Sequence, residues 1–239
     1  VTIDPINCYI LEVLPRKNEL VRPPVSNIDQ VIIITSVKHP NFSSNLLDKL
    51  LTIVSYHRIE PIICFTKLDL LTEEERKEIN VYRDYYKKYY QVYDNTEIDK
   101  IKALFTGKIT VFTGQSGAGK STLLNHLDGD LNIKTGEISM ALGRGRHTTR
   151  HVELISLCDG YVADTPGFSD VSFQDMEPKD IRDNFEDFNQ YRDCCRYKDC
   201  LHHKEDHCKI KELVENGDIL KDRYENYIKF IDSIAKKKY

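Results

Sequence analysis

The sequence predicts an α/β domain, a largely parallel sheet covered on both faces, followed by a smaller helical module of different character. From residue 28 onward, short apolar runs alternate with amphipathic stretches, the pattern of buried parallel strands joined by crossover helices. A glycine-rich loop joins one of those runs to the next helical stretch. Cysteines and histidines then crowd the last third of the chain, where the strand pattern has stopped.

Taken in order, Cys8–Leu14 reads as an extended stretch, and Arg22-Pro23-Pro24 as a boundary. Residues 1–27 are too few to build a core, so they read as an add-on or the remnant of a truncated module. Val31–Thr35 is a buried-strand run, and Ser43 or Ser44 caps a helix whose apolar face is Leu46, Leu47, Leu50, Leu51 and Val54. Ile62–Phe65 is a second buried strand, and the polar, tyrosine-rich Glu73–Tyr90 reads as a surface helix. A short helix, Glu97–Phe105, leads to strand Lys108–Thr113, the glycine loop and helix Lys120–Leu127. Val152–Leu157 and Tyr161–Ala163 flank Cys158-Asp159-Gly160, a hairpin signal. Pro178 starts a helix carrying Ile181, Phe185 and Phe188. Leu220–Ile234 places Tyr224, Tyr227, Ile228, Ile231 and Ile234 at helical spacing, a face that has to pack on something. The expected domains are therefore 1–27, 28–172 and 173–239.

Composition narrows the function classes. The chain has 239 residues, 40% hydrophobic and 30% charged, as an ordinary globular protein does. A formal charge of −4 excludes a wholly basic nucleic-acid binder, so any RNA contact has to come from local patches. Two are visible: Arg144, Arg146, His147, Arg150 and His151, and the tail Lys236-Lys237-Lys238. No apolar run approaches the roughly 20 residues of a membrane span, and no signal peptide is recognisable, so the expected setting is cytoplasmic. Four of the seven cysteines, Cys194, Cys195, Cys200 and Cys208, lie close together among histidines. In a reducing compartment that clustering favours metal over disulfide.

The motifs carry the chemistry. Gly114-Gln115-Ser116-Gly117-Ala118-Gly119-Lys120-Ser121 fits G-x-x-x-x-G-K-[ST], with Thr122 next on the helix. Glycines there let backbone N–H groups converge on phosphate oxygens, Lys120 neutralises the outer phosphates, and Ser121 ligates Mg²⁺. Asp164-Thr165-Pro166-Gly167 ends a strand downstream, where the aspartate can hold Mg²⁺ through water and the Gly167 N–H can meet the γ-phosphate. Thr66-Lys67-Leu68-Asp69 looks like the guanine-reading N-K-x-D motif with Thr66 in place of Asn. Its aspartate would accept from guanine N1–H and the exocyclic amine, an edge that adenine does not offer. The order is informative: the base motif precedes the phosphate loop, whereas an ordinary GTPase has it last. That is a circular permutation.

Between the phosphate loop and Asp164 lies Gly143–Arg150, where switch I belongs. Thr148 or Thr149 can complete Mg²⁺ coordination. Phe168 follows Gly167, so the water-orienting glutamine of Ras-type enzymes is absent, and His147 is the candidate for that role. Farther on, Cys195-x₄-Cys200-x-His202-x₅-Cys208 supplies three thiolates and an imidazole, a set suited to closed tetrahedral zinc. Spacing alone leaves Cys194, His203 and His207 as competing ligands.

Together these residues resemble the ribosome small subunit-dependent GTPase A family, over nearly the whole chain and including Arg16–Pro23, the permuted motif order, His147-Thr148-Thr149 and the Cys/His spacing. The resemblance implies an N-terminal OB barrel, here only a remnant, a circularly permuted P-loop GTPase domain, and a C-terminal zinc-binding helical domain. It also implies slow GTP hydrolysis stimulated by the 30S subunit and its 16S rRNA late in maturation, with GTP and GDP as ligands and a monomeric chain. The same resemblance assigns zinc to Cys195, Cys200, His202 and Cys208, excluding Cys194, and gives His147 the hydrolytic role. The chain departs from the family at Thr66, and no Ser-Ala base-backing motif is recognisable near Val92–Asn95. Two other readings are a permuted GTPase serving the large subunit and a GTP-stabilised zinc RNA-binding module without significant turnover.

Overall fold

In the computed structural model, which describes residues 1–20, 25–128, 153–164, 172–173 and 176–235, a six-stranded sheet carries the fold. Its strands are β5 (Gln30–Ser36), β6 (Glu60–Thr66), β7 (Gln91–Asp94), β8 (Ile109–Gly114), β9 (Glu153–Leu157) and β10 (Gly160–Asp164), in the order β7-β6-β5-β8-β10-β9. Five are mutually parallel; β9 runs antiparallel to β10 at one edge. The hairpin expected at Cys158-Asp159-Gly160 is there. Leu157 pairs with Gly160 across Cys158 and Asp159, both of which have positive φ. A side chain at Gly160 would run into the Phe105 carbonyl.

The continuous apolar runs follow from coverage of both faces. Val31 and Ile33 face one core, under α1 (Ser44–Tyr56) and α2 (Glu73–Tyr86); Ile32 and Ile34 face the other, under α3 (Ile98–Ala103) and α4 (Lys120–Leu127). Ser43 is the cap of α1, its hydroxyl accepting from the Leu46 N–H at 3.2 Å. Thr72 and Glu75 form a reciprocal capping box that starts α2.

The stretch expected to be a surface helix is shorter and less exposed than its composition suggests. The helix stops at Tyr86, and Tyr85 and Tyr86 are buried. Tertiary packing overrides a polar average there, because only one side of α2 faces water.

The C-terminal helices are α5 (Pro178–Asp183), α6 (Glu186–Asn189), α7 (Lys209–Glu215) and α8 (Lys221–Ala235). Pro178 occupies the first turn of α5, as expected. The apolar face of α8, with Tyr227, Phe230, Ile231 and Ile234, packs on α1 and α5 and joins the same core as Val31 and Leu47. Phe173 packs tilted against Phe230, ring centroids 4.9 Å apart. The N-terminal residues form two two-stranded ribbons, β1 (Thr2–Ile3) with β2 (Ile10–Glu12) and β3 (Glu19–Leu20) with β4 (Val25–Ser26). By themselves they establish no barrel. Among the described residues no helix is long and apolar enough to cross a membrane.

A buried ion cluster fastens α8 in place. Arg223 donates to both carboxylate oxygens of Asp187 at 2.7 Å and to Asp48 of α1. Asp48 also accepts from the Tyr86 hydroxyl and from Asn226 at 2.8 Å, while Tyr85 donates to Asp187. Burial opposes the charge on Arg223, but Asp187 and Asp48 outweigh it and hold the guanidinium well above its usual range. Every partner of Asp48 in this cluster is a donor, which matches an ionised carboxylate. Because truncating one member strands the others in low dielectric, Arg223→Ala should cost about 3–5 kcal/mol of stability, read as a lower urea midpoint. An unchanged midpoint would mean that the cluster contributes no net stability.

Candidate functional site

Parallel strands present their carboxyl ends on one edge, and ligands of open α/β sheets bind in the crevice outside that edge. The loops after β5, β6, β7 and β8 meet there. Gly114 ends β8 with φ +143°, and a Cβ on it would lie 2.2 Å from the Ile34 carbonyl oxygen. Only glycine fits that close approach. The loop continues through Gln115, Ser116, Gly117, Ala118 and Gly119, with Gly117 and Gly119 also left-handed, and passes into α4 at Lys120. Lys120, Ser121 and Thr122 thus form the first turn of the helix.

The Thr66–Asp69 motif lies directly against this loop, although it is far away in sequence. The Thr66 hydroxyl donates to the Ala118 carbonyl at 2.6 Å and packs 3.7 Å from where a Cβ on Gly119 would sit. Lys67, itself left-handed, donates to the Gly117 carbonyl at 2.7 Å and to the His39 carbonyl. Leu68 and Asp69 follow in a short 3₁₀ turn, with the Asp69 side chain exposed at the sheet edge. Thr66 therefore ties strand to loop with the hydroxyl that stands where the motif usually has an amide.

Two contributors escaped the sequence reading. His39, after β5, supplies a backbone carbonyl to Lys67, and carbonyls leave no side-chain pattern. The turn after β7 is the other. Asn95 donates its N–H to the Phe65 carbonyl at 2.9 Å, and Asp94 is clamped by Arg83. This turn lies beside the base motif without a Ser-Ala pair, so motif matching finds nothing there. Asp164 ends β10 parallel to β8, on the same sheet edge. His147, Thr148, Thr149 and Gly167 lie outside the described residues.

The second site is the Cys/His cluster. One ligand atom from each of Cys195, Cys200, His202 and Cys208 lies within 4.8 Å of every other. His202 Nδ1 is 3.5 Å from Cys195 Sγ and 3.3 Å from Cys208 Sγ, and the two sulfurs are 4.0 Å apart. Tetrahedral bonds of about 2.3 Å to sulfur and 2.0 Å to nitrogen give edges of roughly 3.5–3.8 Å, so the donor set fits one ion. Of the competing residues, His203 pairs with Asp232 at 3.0 Å, and the exposed Cys194 and His207 are not among the four grouped side chains. Tyr224 and Tyr227 brace the turn, donating to the carbonyls of His202 and Leu201 at 2.8 and 2.6 Å.

Burial pushes the His202 imidazole down to about 4 and the Cys200 thiol up to about 12. The imidazole is thus a neutral ligand already, whereas the thiols need a cation to ionise. One metal ion per chain should be found by elemental analysis. Cys200→Ala should abolish it and increase proteolysis after Asp193; a parent protein free of metal would refute the site.

Comparison with known proteins identifies the family. The RsgA GTPase family model matches residues 13–174. A small ribosomal subunit biogenesis GTPase RsgA from Enterococcus faecalis is 48% identical over 234 residues, covering 96% of this chain and 79% of that one. RsgA 1 of Listeria monocytogenes is 47% identical, with 96% and 80% covered. The crystal structure of YloQ, described as a circularly permuted GTPase, superposes with a TM-score of 0.80 at 37% identity over 95% of this chain and 75% of that one. YjeQ from Thermotoga maritima gives 0.81 at 33% identity over 94% and 77%. The chain belongs to the RsgA family of circularly permuted GTPases.

Proposed function

We propose that this GTPase acts on the 30S ribosomal subunit late in its maturation, turning over GTP slowly alone and faster when docked on 16S rRNA. The observation that carries the nucleotide reading is the direct contact of Thr66 and Lys67 with the 114–119 loop. A base reader and a phosphate cradle held in one rigid unit can select guanine and retain its phosphates together. The relatives named as small ribosomal subunit biogenesis GTPases support the partner.

In this reading Asp69 accepts from guanine N1–H and the exocyclic amine. The backbone N–H groups of Gln115–Gly119, with the start of α4, receive the phosphates. Lys120 neutralises the outer phosphates, and the Ser121 hydroxyl, Asp164 and one of Thr148 and Thr149 hold Mg²⁺. That ion, when bound, offsets charge on the β- and γ-phosphates. The Gly167 N–H meets the γ-phosphate and His147 orients the attacking water. Cys195, Cys200, His202 and Cys208 hold zinc, whose role is to staple a segment too small to fold alone. The division into 1–27, 28–172 and 173–239 is supported by Phe173, which packs on Phe230 of the C-terminal module.

The base assignment predicts that Asp69→Asn lowers GTP affinity and raises affinity for xanthosine triphosphate, whose edge complements an amide. Indistinguishable preferences in mutant and parent would remove Thr66–Asp69 from the base site. Turnover tests the whole proposal. The free enzyme should run on the order of 10⁻⁴ to 10⁻² s⁻¹ and accelerate with purified 30S subunits. His147→Ala should keep nucleotide affinity yet lose most of that stimulation. A parent rate indifferent to 30S subunits would sink the partner assignment.

A further inference from the structure

Tyr197 differs from Tyr224 and Tyr227 of its module. Tyr224 and Tyr227 are held inside and spend their hydroxyls on carbonyls of the metal-site turn. Tyr197 stands 47% exposed, and among the described residues its hydroxyl bonds to nothing. It lies in the short loop between Cys195 and Cys200, two members of the Cys/His cluster, so an ion bound there would hold the loop at both ends. The Cys200 N–H donates to the Tyr197 carbonyl at 3.2 Å and closes the turn.

Its neighbours are cations. The Arg196 guanidinium sits over the ring, 5.6 Å from its centroid, within cation–π range. Among the described residues neither Arg196 nor Lys198 forms an ion pair. Arg192 lies just before the loop, about half exposed, with Asp183 at 3.4 Å. Asp193 and Asp199 flank the same segment, so its net positive charge is small and general phosphate attraction is weak. The distinctive feature is an exposed aromatic ring with Arg196 over it and Lys198 next in the chain, neither cation in an ion pair among the described residues. An unpaired nucleotide matches it, with the base stacked on the ring and the adjacent phosphates met by Arg196 and Lys198. With a metal bound, that anchoring would remove much of the ordering cost of such a contact.

We propose that Arg196-Tyr197-Lys198 is a stacking platform for an unpaired nucleotide of ribosomal RNA. This rests on the small subunit being the partner and names the chemistry by which the metal-binding module would engage it.

The test compares parent, Tyr197→Ala and Tyr197→Phe, each checked for metal content, melting temperature and GTP turnover without subunits, all of which should be unchanged. Losing one stacked aromatic weakens binding by roughly 5- to 150-fold. Affinity of Tyr197→Ala for purified 30S subunits should therefore fall at least about fivefold, while Tyr197→Phe stays near the parent because stacking does not need the hydroxyl. Ultraviolet crosslinking of the parent complex should join the 196–198 peptide to a nucleotide. Parent binding with undiminished Tyr197→Ala binding overturns the platform alone, as does crosslinking of that peptide only to a ribosomal protein. Failure of the parent to bind 30S subunits overturns the proposed function and the platform with it.

Discussion

The Arg223 cluster is the constraint on which the arrangement of the two sites depends. An arginine with two carboxylates in a low-dielectric interior tolerates little displacement, because each partner left alone is costly. Here the partners come from three directions: Asp48 from α1, Asp187 from α6, and the hydroxyls of Tyr85 and Tyr86 from α2. The cluster therefore sets where α8 lies, and α8 with α5 closes the core that begins on the sheet. The C-terminal helical region is not a bead on a linker. It shares its apolar interior with the sheet and α1.

The shared element is α1. At its start, Ser44 and Asn45 bond to Asn226 of α8 at 3.2 and 3.0 Å. Just before it lies the segment whose His39 carbonyl holds Lys67, and Lys67 in turn holds Gly117 of the phosphate loop. Polar contacts at the two ends of the 39–45 segment thus link the 114–119 loop to the C-terminal helix. Both ends are anchored on rigid elements, the condition for holding a site to tight geometry.

Permutation leaves this geometry intact because a parallel sheet assembles its site by edge, not by chain order. The base motif leaves β6, the phosphate loop leaves β8, and β5 lies hydrogen-bonded between them. Any connectivity that keeps these strands adjacent and parallel brings Thr66 to Ala118. What permutation changes is which element follows the site. Here β10, which ends at Asp164, is followed in sequence by the C-terminal helices.

Much was legible from local pattern. The two-sided strands, the cap at Ser43, the hairpin at Cys158-Asp159, the glycine loop between strand and helix and the clustering of cysteines with histidines all follow from residues a few positions apart, where backbone sterics and ligand chemistry leave few choices. The metal set needed geometry to exclude Cys194, His203 and His207, because spacing counts residues but does not orient side chains. The tie between Thr66 and Ala118, the His39 carbonyl on Lys67, the burial of Tyr85 and Tyr86, and the pairing of Arg223 with Asp48 and Asp187 were decided only in the tertiary structure. Each joins groups distant in sequence, and an arginine or tyrosine on a helix has the same local pattern whether it faces water or a buried partner.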